Sequence, residues 1–214
     1  MGGGWESNFK FIIMKSAQRQ KIAQVICESV ENLVPKGKLL VQIPRGRILR
    51  GVYFENSQTP DSCYVWIFVQ PLYVPSPHVV FNIGERLGGG SKIWKVEEAG
   101  AVASLVKKEG VAFFGSISSP ETLARWQYLE ERTDPYALQA RAYSLVASGY
   151  AQEGVDALHA LTDSLTSDIP WVLEMKSRAE QLAQLAESNL ESAQESLSQW
   201  EKETAIALGV DDLR

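Results

Sequence analysis

The sequence predicts an α+β protein: an N-terminal helix plus a four-stranded antiparallel meander, then an all-α C-terminal region with a long terminal helix. Three observations carry this. Strand-like segments with alternating side chains are confined to residues 38–83, whereas apolar residues before and after them recur at three- and four-residue steps. Turn-forming residues separate the strand segments at the short spacing of a meander. From residue 119 onward, Pro120, Pro135 and Pro170 each stand at the head of a helical pattern, where a missing N–H costs nothing.

Ile22, Val25, Ile26, Val30 and Leu33 share one helical face, which predicts a helix over residues 16–34 that Pro35 and Gly37 end. Residues 9–14 fit either an extension of that helix or a short strand. The strands fall at residues 38–43, 47–54, 62–70 and 78–83. In the third, Tyr64, Trp66 and Phe68 point to one face and Val65, Ile67 and Val69 to the other. A strand apolar on both faces is covered on both sides, so this one is central. Residues 97–109 read as a helix with acids at its start, Lys107 and Lys108 in its last turn and Gly110 beyond. A short apolar piece, residues 111–114, leads to Ser119 and Pro120. The expected division is a sheet domain, residues 1–115, and a helical region, residues 116–214.

Within the helical region, Asp134 and Pro135 open one helix, Gly149 ends it, and a second follows, making a hairpin over residues 134–165. With Ala142 and Leu145 on the first helix, Gly149 at the turn, and Gly154, Leu158 and Leu161 on the second, the pair resembles a single tetratricopeptide-type hairpin. The family usually has alanine where Gly154 stands. That resemblance implies a scaffold for protein contacts. The last helix, residues 170–208, carries Val172, Met175, Ala179, Leu182, Ala186, Leu190, Ala193, Leu197 and Trp200 at heptad spacing, with one extra step of four after Ala186. At 1.5 Å per residue it would span roughly 57 Å. Leu182, Leu190, Leu197 and Trp200 are therefore the candidate interaction seam. A helix of this length is expected to pair with a second copy as a homodimer or to join a larger complex; the sheet domain folding back over it is the alternative.

Hydrophobic residues make up 45% and charged residues 22% of the 214, ordinary values for a chain that folds around a core. The longest uninterrupted apolar run, residues 65–69, is far short of a membrane span. The first residues carry neither a secretory pattern nor, with Glu6 at the sixth position, a myristoylation pattern. Two cysteines, Cys27 and Cys63, read as reduced core thiols, so a cytoplasmic setting is expected. No cofactor and no metal is expected. Residues 1–96 carry 12 basic against 6 acidic side chains, and residues 97–214 carry 9 against 20. The basic front and acidic back either attract one another or meet different partners.

Few constellations carry chemistry. The tract from Gly84 to Lys92 has its serine before its lysine and no helix behind it, so it fails as a phosphate loop. His78 and Glu85 invite an acid–base reading but lack a nucleophile. Arg45, Arg47 and Arg50, beside strands bearing Tyr53, Tyr64, Trp66 and Phe68, are what a single-stranded nucleic-acid surface would use. Glu130, Glu131, Asp134, Glu187, Glu191 and Glu195 read as solvated helix faces, or as a surface for a basic partner or for the basic half of this chain. The order helix, meander, helix, with Gly110–Val111–Ala112–Phe113–Phe114 running into Ser119, Pro120, Glu121 and Leu123, resembles small bacterial α+β domains of unknown function, some suspected of immunity or accessory roles. The expectation is a non-catalytic protein-binding protein, an adaptor or immunity-type binder. A nucleic-acid-binding module and an enzyme with an unrecognised site are the alternatives.

Overall fold

The computed structural model describes Met14 and residues 16–213. The stretch read as helix or strand, residues 9–14, lies outside the described residues apart from Met14, which is buried. Helix α1 (Ser16–Ser29) is followed by strands β1 (Leu33–Lys36), β2 (Leu39–Gln42), β3 (Ile48–Asn56), β4 (Ser62–Pro71), β5 (Gly84–Arg86) and β6 (Trp94–Lys95). The sheet is antiparallel in the order β1-β2-β3-β4-β5, and β6 also pairs with β4. Strand β4 is thus central, and its two faces are covered by different parts of the chain. Val65, Ile67 and Val69 join Ile22 and Ile26 of α1 in the main core. Phe68 joins Val41, Leu49 and Leu72 on the opposite face, under Ala205 and Val210.

Three boundaries differ from the sequence pattern, each for a local reason. Helix α1 stops early because Asn32 takes a left-handed conformation (φ 63°), and Leu33 opens β1 instead of a further helical turn. The segment 78–83 is not a strand. The Gln70 side chain supplies what a ladder would: its amide donates to the His78 carbonyl at 3.3 Å and its oxygen accepts from Val80 N–H at 3.0 Å. Helix α2 (Ala99–Leu105) does not end at Gly110. It passes through a π-helical turn, Val106–Gly110, directly into α3 (Val111–Ser116). Gly110 stays helical there, and a Cβ on it would lie 3.3 Å from both Ile67 and Val106, so its bareness sets how closely the helix approaches β4.

Helices α4 (Pro120–Ala124) and α5 (Gln127–Glu130) lead to α6 (Pro135–Ala147), α7 (Ala151–Ser164), α8 (Pro170–Ser188) and α9 (Leu190–Ala207). Ser119 and Asp134 cap α4 and α6, each followed by proline at the first position. Gly149 takes φ 90° between α6 and α7, and a Cβ at Gly154 would meet Val146 Cγ2 at 2.6 Å. The two helices touch at a point where even alanine does not fit. The long terminal helix is divided at Asn189, whose extended backbone (φ −158°, ψ 101°) breaks it and whose Oδ1 accepts from Glu191 and Ser192 N–H at 3.0 and 3.3 Å. The extra four-residue step after Ala186 marks this corner. It lets α9 leave α8 and run along α6 toward the sheet, with Trp200 stacked on Tyr143 at 5.8 Å. One apolar cluster runs from Met14 through Leu197, so sheet and helices share a core.

Candidate interaction surface

Helices α6 and α8 begin in the same way. Asp134–Pro135–Tyr136 opens one and Ile169–Pro170–Trp171 the other, which places an aromatic ring at the second helical position of each. Both helices pack on α7 and start at the same end of it. The two rings therefore meet, stacked at 5.6 Å and 9°. Each is 43% exposed, an unusual state for side chains of this size. Trp171 stands off the Val172–Met175–Ala179 stripe that α8 buries, while Ile169 and Leu173 lie one turn apart on its outer side, 51% and 48% exposed.

A second aromatic pair continues the surface. Trp126 and Tyr128 lie 4.8 Å apart, and Tyr128 is exposed. Arg132 ties Tyr128 to Asp134, the cap of the helix on which Tyr136 stands. Its guanidinium lies 5.1 Å over the Tyr128 ring and donates to Tyr128 Oη at 3.1 Å, to the Asn82 carbonyl at 2.6 Å and to Asp134 Oδ2 at 2.6 Å. Asn82 and Tyr136 line a common crevice with Val74 and Val80. Burial works to lower the Arg132 pKa, and the hydrogen bond and charge of Asp134 overcome it, leaving it above its ordinary value. Burial likewise works to raise the Asp134 carboxyl, and Arg132 with the Ala137 N–H holds it below its ordinary value. Both groups stay charged near neutral pH. The result is a rim of tryptophan, tyrosine and one oriented arginine, with flat apolar faces and polar tips.

The residues singled out in the sequence take other positions. In the seam, Leu182 and Leu197 are buried in the core and Leu190 and Trp200 pack half-buried against it, so the seam is covered inside the chain. Arg45, Arg47 and Arg50 do not form an open basic face. Arg47 Nε donates to Glu201 Oε2 at 2.8 Å, Arg45 Nη1 lies 3.9 Å from Glu201 Oε1, and Arg50 turns to the other face of the sheet, its Nη1 donating to Phe114 O at 3.5 Å. Desolvation lowers the Arg50 pKa. His78 and Glu85 are both exposed, and no bond joins them. Lys92 of the glycine-rich tract pairs with Glu98 at 2.7 Å. The acidic residues are mostly engaged nearby: Glu130 with Arg141 at 3.8 Å and Glu187 with His159 at 3.5 Å. Burial pushes the Cys63 thiol up to about 11. Among the described residues, no group of three His, Cys, Asp or Glu side chains could hold a metal ion, and no helix is long and apolar enough to cross a membrane.

Sequence reasoning missed the rim. Its signal was the repeated proline–aromatic opening of two helices, with Trp171 standing outside the seam spacing. Comparison with family models, with curated proteins and with solved structures finds no match.

Proposed function

We propose that the chain is a non-catalytic protein-binding protein, an adaptor or immunity-type binder, and that it binds through the rim of Trp126, Tyr128, Arg132, Tyr136 and Trp171. The observation that carries this is the stacked Tyr136–Trp171 pair, exposed at two helix starts with Ile169 and Leu173 exposed beside it. Tryptophan, tyrosine and arginine are the side chains that dominate binding energy at protein interfaces, because each combines large contact area with a polar tip. Tyr136 and Trp171 are already held by each other, and Tyr128 by Trp126 and Arg132, so little side-chain freedom is lost on docking. The resemblance of α6 and α7 to a tetratricopeptide hairpin supports the same reading. The nucleic-acid alternative has less support, since Arg47 and Arg50 are half-buried and engaged within the chain.

The test begins with the protein that copurifies with the tagged chain from its native cells. Its affinity is then measured for the wild type, for Trp171→Ala and for Ile206→Ala, an exposed position on α9 away from the rim. Trp171→Ala is expected to weaken binding by at least tenfold, about 1.4 kcal/mol or more, with an unchanged circular dichroism spectrum, and Ile206→Ala to leave it as it was. Equal affinities for all three would remove the rim from the interface. Salt-titrated binding to single-stranded RNA and DNA is expected to be negligible even at low ionic strength.

A further inference from the structure

We infer that the hollow between residues 44–47 and α9 is an anion site for a single phosphate group, free or as a phosphate monoester. It is an open cavity of about 570 Å3, lined by Arg45, Arg47, Ser198, Glu201 and Lys202 around Pro44. Ser198, Glu201 and Lys202 share one stripe of α9 by their three- and four-residue spacing. The two arginines come from the turn between β2 and β3.

The charges do not balance. Among the described residues that line it, two guanidiniums and one ammonium accompany a single carboxylate, Glu201. Arg47 Nε takes Glu201 Oε2 at 2.8 Å, but Arg45 stands 3.9 Å from Oε1, beyond hydrogen-bonding distance, and its Nη1 donates to Gly46 O instead. Arg45 is only 6% exposed. Its Nε, and Nη2 of Arg47, are sealed from solvent without an acceptor. A buried cation is costly unless it is paired, so the site holds unneutralised positive charge. Glu191 and Glu195 line the neighbouring hollow along α9, which shares Ser198 and Lys202 with this one, so the excess charge here rests on the two arginines against Glu201.

Phosphate matches that imbalance better than a carboxylate does. It carries between one and two negative charges near neutral pH, and its several oxygens can accept from guanidinium and ammonium groups at once. The Ser198 hydroxyl, which donates to Gln194 O at 2.8 Å, can turn to it at the rim. The charge of the two arginines and Lys202 suits one such group. An extended strand would need a row of them.

The experiment titrates the full chain with inorganic phosphate and, separately, with glycerol 3-phosphate, at constant ionic strength against chloride, following melting temperature and 31P line width. Saturable binding of either, absent with chloride, is expected; tighter binding of the ester identifies a monoester as the natural ligand, and equal binding identifies free phosphate. Lys202→Ala, an exposed substitution, is expected to weaken binding about fivefold with the fold intact. Glu201→Gln removes the resident competitor and is expected to tighten it several-fold, an outcome that a purely structural ion pair does not produce. Should Glu201→Gln not fold, Lys202→Ala and Lys202→Glu decide alone, by graded weakening. No saturation, affinities unchanged in these variants, or an oligonucleotide binding far more tightly than a monophosphate would overturn the single-phosphate site.

Discussion

Ser144 and Tyr73 show what one polar contact does at the junction of sheet and helices. Their hydroxyls lie 2.7 Å apart with no water access, and Ser144 also reaches the Ala140 carbonyl at 2.6 Å. Burial raises the Tyr73 pKa, so the phenol stays a neutral donor. Ser144→Ala removes the hydroxyl without adding bulk and leaves the Tyr73 hydroxyl without its partner, which costs about 1–3 kcal/mol; urea unfolding followed by far-ultraviolet dichroism checks this. No change in midpoint would mean that the phenol finds another acceptor. None of this was legible in the sequence, because Tyr73 and Ser144 are 71 residues apart and each looks ordinary in its own segment. Gly154 was legible as a departure from the hairpin pattern, and its cause, the Val146 side chain 2.6 Å from where a methyl would sit, was not. The rim was hidden for a similar reason: periodicity says which side of a helix is apolar, and is silent on whether Tyr136 finds a cover.

At the scale of elements, local chemistry was readable where a single residue type forces the outcome. Proline after Asp134 or Ser119 fixes a helix start, and Gly149 fixes a stop. The central position of β4 followed from its two apolar faces. Reading failed where a side chain took over from the backbone, as Gln70 does along residues 78–80. It also failed where a helix absorbed an irregular turn, at Val106–Gly110. Asn189 is the instructive case, since the four-residue slip in the seam was visible but a slip is compatible with an unbroken helix. The asparagine decides it by capping α9. Asn189→Ala is expected to lower stability by about 1 kcal/mol. A larger fall in the helical signal than that loss explains would show that the corner, and the run of α9 toward the sheet, depends on this cap; an unchanged midpoint would show that packing alone turns the chain.

On the scale of the molecule, the opposite charges of the two halves meet directly. Glu201 takes Arg47, and Asp212 takes Lys36 at 3.0 Å. Such exposed or half-exposed pairs contribute little energy each, so the attraction aligns α9 more than it holds it. The holding comes from Ala205 and Val210 over Val41, Leu49, Phe68 and Leu72. A chain ending at Ser188 loses that cover. It is expected to melt lower and to bind a hydrophobic dye, while the intact chain scatters light as a single chain of about 23.7 kDa at tens of micromolar. A mass twice that for the intact chain, falling to one chain on truncation, would instead restore self-association through α9.

The cover over that second face has a cost in time. Arg47 and Glu201 are 154 residues apart, and Lys36 and Asp212 are 176 apart. Translation makes the sheet first, and at 5–20 residues per second its second face waits roughly 8–30 s for the segment that closes it. Throughout that interval Leu49, Phe68 and Leu72 stand open on a nearly finished sheet, the kind of surface that aggregates or engages a chaperone. A chain interrupted anywhere before α9 carries the same open face permanently, because Ala205 and Val210 are what close it.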